Sequence, residues 1–109
     1  MNASIFPLLA RQYTELEEYD KAVSALKTQL SYETSADACS QIGSILLKQG
    51  KAAEALVYLE KSAMLKKPDV NLRFFLAKAH AEIGNNREAR IYASQLGWKK
   101  KDIVNLIQS

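Results

Sequence analysis

Apolar residues recur at helical spacing through most of this chain, in blocks separated by short breaks. Between Ala36 and Lys48, the residues Cys39, Ile42, Leu46 and Leu47 fall on one helical face. From about Ala52 to Leu65, Ala55, Leu56, Leu59 and Ala63 do the same. Gly50 lies between these blocks, where a left-handed terminal residue costs glycine nothing. Lys66 and Lys67 complement a C-terminal helix dipole, and Pro68 prevents continuation. Asp69 is placed to cap a helix near Val70 to Ile83, which Gly84 stops. Asn86 is placed to cap a further helix, running to about Leu96 before Gly97. Upstream, Ser4 precedes a helix to about Leu16, and another helix runs from about Tyr19 to Leu30. The turn between those two has Glu17 where the others have glycine, which predicts a looser or strained turn.

The blocks repeat. Glu18-Tyr19-Asp20-Lys21-Ala22, Lys51-Ala52-Ala53-Glu54-Ala55 and Asn85-Asn86-Arg87-Glu88-Ala89 align, with closing alanines 33 and 34 residues apart. Twelve residues before each alanine stands a small residue, Ala10, Gly43 or Ala77, preceded by Leu9, Ile42 or Leu76. Antiparallel helices approach closely only where a crossing side chain is short. Ala10/Ala22, Gly43/Ala55 and Ala77/Ala89 are therefore the expected crossings of three helix pairs. One pair has too little apolar surface to fold alone, whereas stacked pairs share their faces and line one concave surface.

Composition narrows the function. The 109 residues suit a single domain, expected over 1–109, with repeats at about 3–35, 36–69 and 70–103. A closing helix is expected at about 102–108, where Ile103, Val104, Leu106 and Ile107 can pack on the last repeat. Fifteen Lys+Arg against 12 Asp+Glu leave +3, too weak a balance to imply nucleic acid. No apolar run is long enough to cross a bilayer, and the N-terminus lacks the features of a signal peptide. One His and one Cys leave no material for common metal sites or nucleophile–base pairs. The chain is thus expected to be a cytoplasmic non-enzyme with no catalytic residues, no metal, no cofactor, no nucleic-acid partner and no membrane insertion. Met1 and the closing tail favour a complete small protein over a piece of a longer array.

These spacings resemble the tetratricopeptide repeat (TPR), whose motif runs large-x2-Leu-Gly-x2-Tyr, then Ala-x3-Phe, then Pro. The middle copy supplies Cys39, Ile42-Gly43, Leu46, Ala55, Leu59 and Pro68. The first supplies Phe6, Leu9-Ala10, Tyr13, Ala22 and Leu26. The third departs most, with Arg73 at the large position, His80 at the Tyr position and Ala93 at the Phe position. Phe74 or Phe75 then fills the space Arg73 leaves. The resemblance implies an all-α fold, a right-handed superhelical array of about three helix-turn-helix repeats plus a short C-terminal helix. It is specific for fold and weak for ligand, because such arrays bind many unrelated partners.

One TPR subclass grips C-terminal carboxylates through a Lys/Asn/Arg clamp. The corresponding places here hold Pro7, Arg11, Gln41, Asn71 and Phe75, so that bidentate chemistry is mostly missing. The expected partner-binding groove is instead mixed. Leu47 and Phe74 are apolar, with Leu8 a further candidate, Arg11, Lys48 and Lys78 basic, and Glu15 and Glu82 marginal. An apolar trough with a basic rim suits an amphipathic helix bearing some acidic residues. Chain length, repeat number and groove resemble the small TPR chaperones of type III secretion. Those hold the amphipathic helix of a needle subunit, often with a second small helical protein. A structural scaffold or adaptor, self-assembling or part of a larger TPR complex, is the alternative.

The first helix raises a separate question. Ile5, Phe6, Leu8, Leu9 and Tyr13 are more apolar than one pairing face needs. Either Ile5 and Leu8 form a second interface, with a second small helical protein or by self-association through this helix, or the helix tucks inward against its own repeat. His80 reads as a partly buried structural residue, Cys39 as an inert core thiol, and Trp98 as an anchor for the tail. Lys99-Lys100-Lys101 read as a solvated run.

Overall fold

The computed structural model describes residues 5–97, which form helices and turns with no strand among them. The Ser4 cap, Trp98, the three-lysine run and the closing helix lie outside the described residues. The helices are α1 (Ile5–Glu15), α2 (Tyr19–Tyr32), α3 (Ala36–Lys48), α4 (Ala52–Leu65), α5 (Val70–Glu82) and α6 (Asn86–Gln95). They pair as α1 on α2, α3 on α4 and α5 on α6. Between pairs, α2 meets α3, α4 meets α5, and α3 touches α5. The molecule measures 47 × 27 × 19 Å, an elongation that follows from pairs packing only on their neighbours.

Local chemistry sets the ends. Ser35 and Asp69 occupy N-cap positions, and their side-chain oxygens accept from the N–H groups of Ala38 at 3.1 Å and Leu72 at 2.8 Å. Asn86 is not a cap: Asn85 holds that position, and its amide is turned to His80 instead. One pair of bonds closes all three turns within the helix pairs. The N–H groups of Glu18, Lys51 and Asn85 donate to the carbonyls of Tyr13, Leu46 and His80 at 2.8, 2.9 and 2.8 Å. Those of Glu17, Gly50 and Gly84 donate to Thr14, Leu47 and Ala81 at 3.0, 3.1 and 3.2 Å. The Glu17 turn is therefore as tight as the others. Its strain appears in the backbone, where Glu17 has φ of +59° in the region that Gly50 and Gly84 occupy without cost.

The crossings carry the core. Ala10, Ala22, Ala55, Ala77 and Ala89 are buried with Gly43, and the largest enclosed side chains are Leu26, Ile42, Leu59 and Leu76. At Gly43 the crossing leaves no room for a side chain. A methyl group there would overlap the end of Leu59, standing 2.5 Å from its Cγ and 3.3 Å from the Ala55 carbonyl oxygen. Ser62 ties the second pair together by donating from its hydroxyl to the Ala36 carbonyl at 2.8 Å.

Candidate partner-binding cleft

The apolar stripe of α1 is wider than one partner helix covers, and its two sides face different openings. On one side, Leu8, Arg11 and Glu15 follow each other at intervals of three and four, which aligns them along the helix. Across from them, Gln41, Ser44 and Lys48 are aligned in the same way on α3. These residues, with Pro7, Ala10, Thr14 and Ile45, line a cleft of about 420 Å³ between α1 and α3. Ala10 and Ile45 are buried at its base, whereas Leu8 is 63% exposed on its wall.

The charged rim is solvated. Arg11 Nε lies 3.6 Å from Glu15 Oε1, with both side chains mostly exposed. Such a pair contributes only about 0–1 kcal/mol to stability. Arg11 is thus available to a ligand carboxylate at little cost to the fold. Lys48 faces the same cleft from the opposite helix, at the last turn of α3.

Of the residues expected to form the groove, Arg11 and Lys48 meet in this cleft. Lys78 holds the repeat position of Arg11 on α5, and Phe74 that of Pro7. Both are half-buried. Phe75 packs against the main core, and Phe74 meets it edge-on at 5.9 Å between ring centres. Leu47 is 6% exposed, belongs to the core cluster, and is not among the residues that line the α1/α3 cleft. The reason is the central position of α3, which packs on α2, α4 and α5 at once. Ile45, itself only 4% exposed, and Lys48 line the cleft from α3. Of the two residues proposed for a second interface, Leu8 belongs to this cleft, while Ile5 does not line it.

The isolated titratable groups are structural. His80 is buried, stacks on Tyr92 with ring centres 5.9 Å apart, and accepts at Nδ1 from the Asn85 amide at 3.2 Å. Its Nε2 stands 3.9 Å from Glu60 Oε1. Burial pushes the Cys39 thiol above its ordinary pKa, partly offset by the positive charge of Lys61, so the reactive thiolate is disfavoured. Among the described residues no group of His, Cys, Asp or Glu side chains has the arrangement to hold a metal ion. No described helix is long and apolar enough to cross a membrane.

The tetratricopeptide repeat family profile matches residues 46–100, just over half of the chain. This chain is a TPR protein. The matched segment holds most of the second and third pairs, and the first pair repeats their turn hydrogen bonds and small-residue crossing. No curated protein gives a match. TPR arrays are, in general, non-enzymatic protein-interaction modules, and the α1/α3 cleft is an opening of this one.

Proposed function

We propose that the face formed by α1, α3 and α5 holds one amphipathic helix of a partner protein. Apolar side chains of that helix seat against Leu8 and Ile45, and acidic ones reach Arg11 and Lys48. What supports this reading is the α1/α3 cleft, where an apolar base and two cations on opposite walls come together. Lys78 and Phe74 extend the same pattern onto α5. Burying one leucine in such a cleft contributes ~1.5–3 kcal/mol, and the rim charges add orientation and speed of encounter.

The finer proposal is that the chain is a small cytoplasmic TPR chaperone, with a type III secretion needle subunit as the kind of client it shields. Its mixed groove favours that role over a scaffold. Fluorescence anisotropy with a synthetic helix of leucines flanked by glutamates tests the groove. Tight binding is expected for the acidic peptide, little for its lysine counterpart, and roughly tenfold or greater loss in Arg11→Glu/Lys48→Glu. Equal affinity of that variant for the acidic peptide would sink the groove reading. Coexpression with needle subunits tests the client: a soluble one-to-one complex supports the role, and subunits that still polymerise remove it.

A further inference from the structure

The other side of α1 opens on the end of the array. In α3, which has α2 packed before it, Cys39, Ile42 and Leu46 are at most 4% exposed. The same repeat positions on α1 are Phe6, Leu9 and Tyr13, and no described helix precedes α1. Those three residues line an open cleft of about 250 Å³ with Lys21, Ser24 and Thr28 of α2. Ile5, one turn before Leu9, is 40% exposed, and Tyr32 is exposed while stacking on Phe6 at 5.9 Å. Phe6 is itself buried and Leu9 and Tyr13 are half-buried, so the surface that continues the interface between repeats is open, with an apolar α1 side and a polar α2 edge.

The opposite end is built differently. Val23 on α2 and Leu56 on α4 are buried, each on a helix that packs against the next pair. The equivalent residue on α6 is Arg90, and Asn86 stands where α4 has buried Ala52. Both are exposed, so α6 presents a polar face. Head-to-tail stacking would press Arg90 into an apolar cleft edged by Lys21. Two copies of the α1/α2 end meet without Arg90, and each Lys21 keeps its exposed pairing with Glu18 at 3.3 Å. An isologous contact also closes on itself and does not propagate into fibres.

We infer that the α1/α2 end face is a two-fold interface on which a second copy of this chain stacks its own α1/α2 pair. The junction is a four-helix arrangement continuous with the packing between repeats. It leaves the α1/α3 cleft of each copy open. The interface is independent of what that cleft binds.

Sedimentation velocity and light scattering over a wide concentration range test this. The expected result is a reversible dimer of twice 12.2 kDa, with no larger species. Ile5→Lys and Ser24→Glu, both at exposed positions, each weaken dimerisation about tenfold or more while circular dichroism and melting stay unchanged. Leu8→Lys, in the other cleft, leaves the dimer intact. A monomer at every concentration, a ladder of oligomers, or a dimer that resists both end-face variants overturns the proposal. So does a dimer that Leu8→Lys dissolves.

Discussion

Replacing Gly43 by alanine sets two opposed effects against each other, and their balance reports how closely α3 and α4 cross. In the interior of an unconstrained helix, Gly→Ala stabilises by about 0.8–1 kcal/mol. Here the added methyl group meets Leu59, which is fully buried in the core. Overpacking of that kind costs typically ~1–3 kcal/mol. The upper part of that range applies, because the overlap reaches the branch point of the leucine and the Ala55 backbone stands just behind. Gly43→Ala should therefore be net destabilising by about 1–2 kcal/mol, a fall in Tm of roughly 4–10 °C. The second arm of the test is Leu59→Ala, which alone costs ~2–5 kcal/mol. In that background the new methyl has room, and Gly43→Ala should recover about 1 kcal/mol. Urea unfolding of the four proteins, followed by circular dichroism with unchanged m-values, measures the coupling, expected near 2–3 kcal/mol. If Gly43→Ala stabilises the otherwise native chain, the close crossing does not exist.

Glu17→Gly relieves the positive φ, and after the entropy glycine gains in the unfolded chain it should still stabilise by roughly 0.5–1 kcal/mol in urea titrations. Ser35→Ala and Asp69→Ala each remove an N-cap acceptor and should cost ~1 kcal/mol, read as a lower urea midpoint. Cys39 should resist thiol reagents in the folded chain and react only as fast as the protein unfolds. A thiol pKa raised by folding favours the neutral form. Its contribution to stability is full below the ordinary thiol pKa and is lost as pH rises toward the folded value, so urea midpoints should decline in that alkaline range. Phe74→Ala and Lys78→Glu should each weaken peptide binding several-fold in anisotropy titrations without lowering Tm by more than a few degrees.

Helix positions were legible because each is marked by local chemistry. Ala36, Lys48, Ala52 and Leu65 bound their helices as the apolar spacing and its breakers indicate. The crossings were legible as well, since only small residues permit close contact and they recur at fixed spacing. What spacing could not resolve was depth. Leu46 and Leu47 are equally apolar and adjacent, and only the packing of α5 on α3 decides that neither faces the cleft. The Ser35 cap was missed although a serine directly before the Ala36 block is an ordinary start signal. Asn85 rather than Asn86 holds the N-cap position of α6 because its N–H closes the turn on the His80 carbonyl, as those of the aligned Glu18 and Lys51 close the turns before α2 and α4. Arg11 and Lys48 were identifiable as basic groove residues. Their placement across a shared cleft depends on the gap left between α1 and α3, a tertiary feature.

The most direct test of the proposed groove is amide chemical-shift mapping of the chain titrated with the acidic amphipathic peptide. Shifts concentrated on Leu8, Arg11, Gln41, Ser44 and Lys48, continuing to Lys78, are the predicted result. Shifts gathered instead on outward residues such as Val57, Met64 and Ile91, with the cleft unmoved, would contradict it.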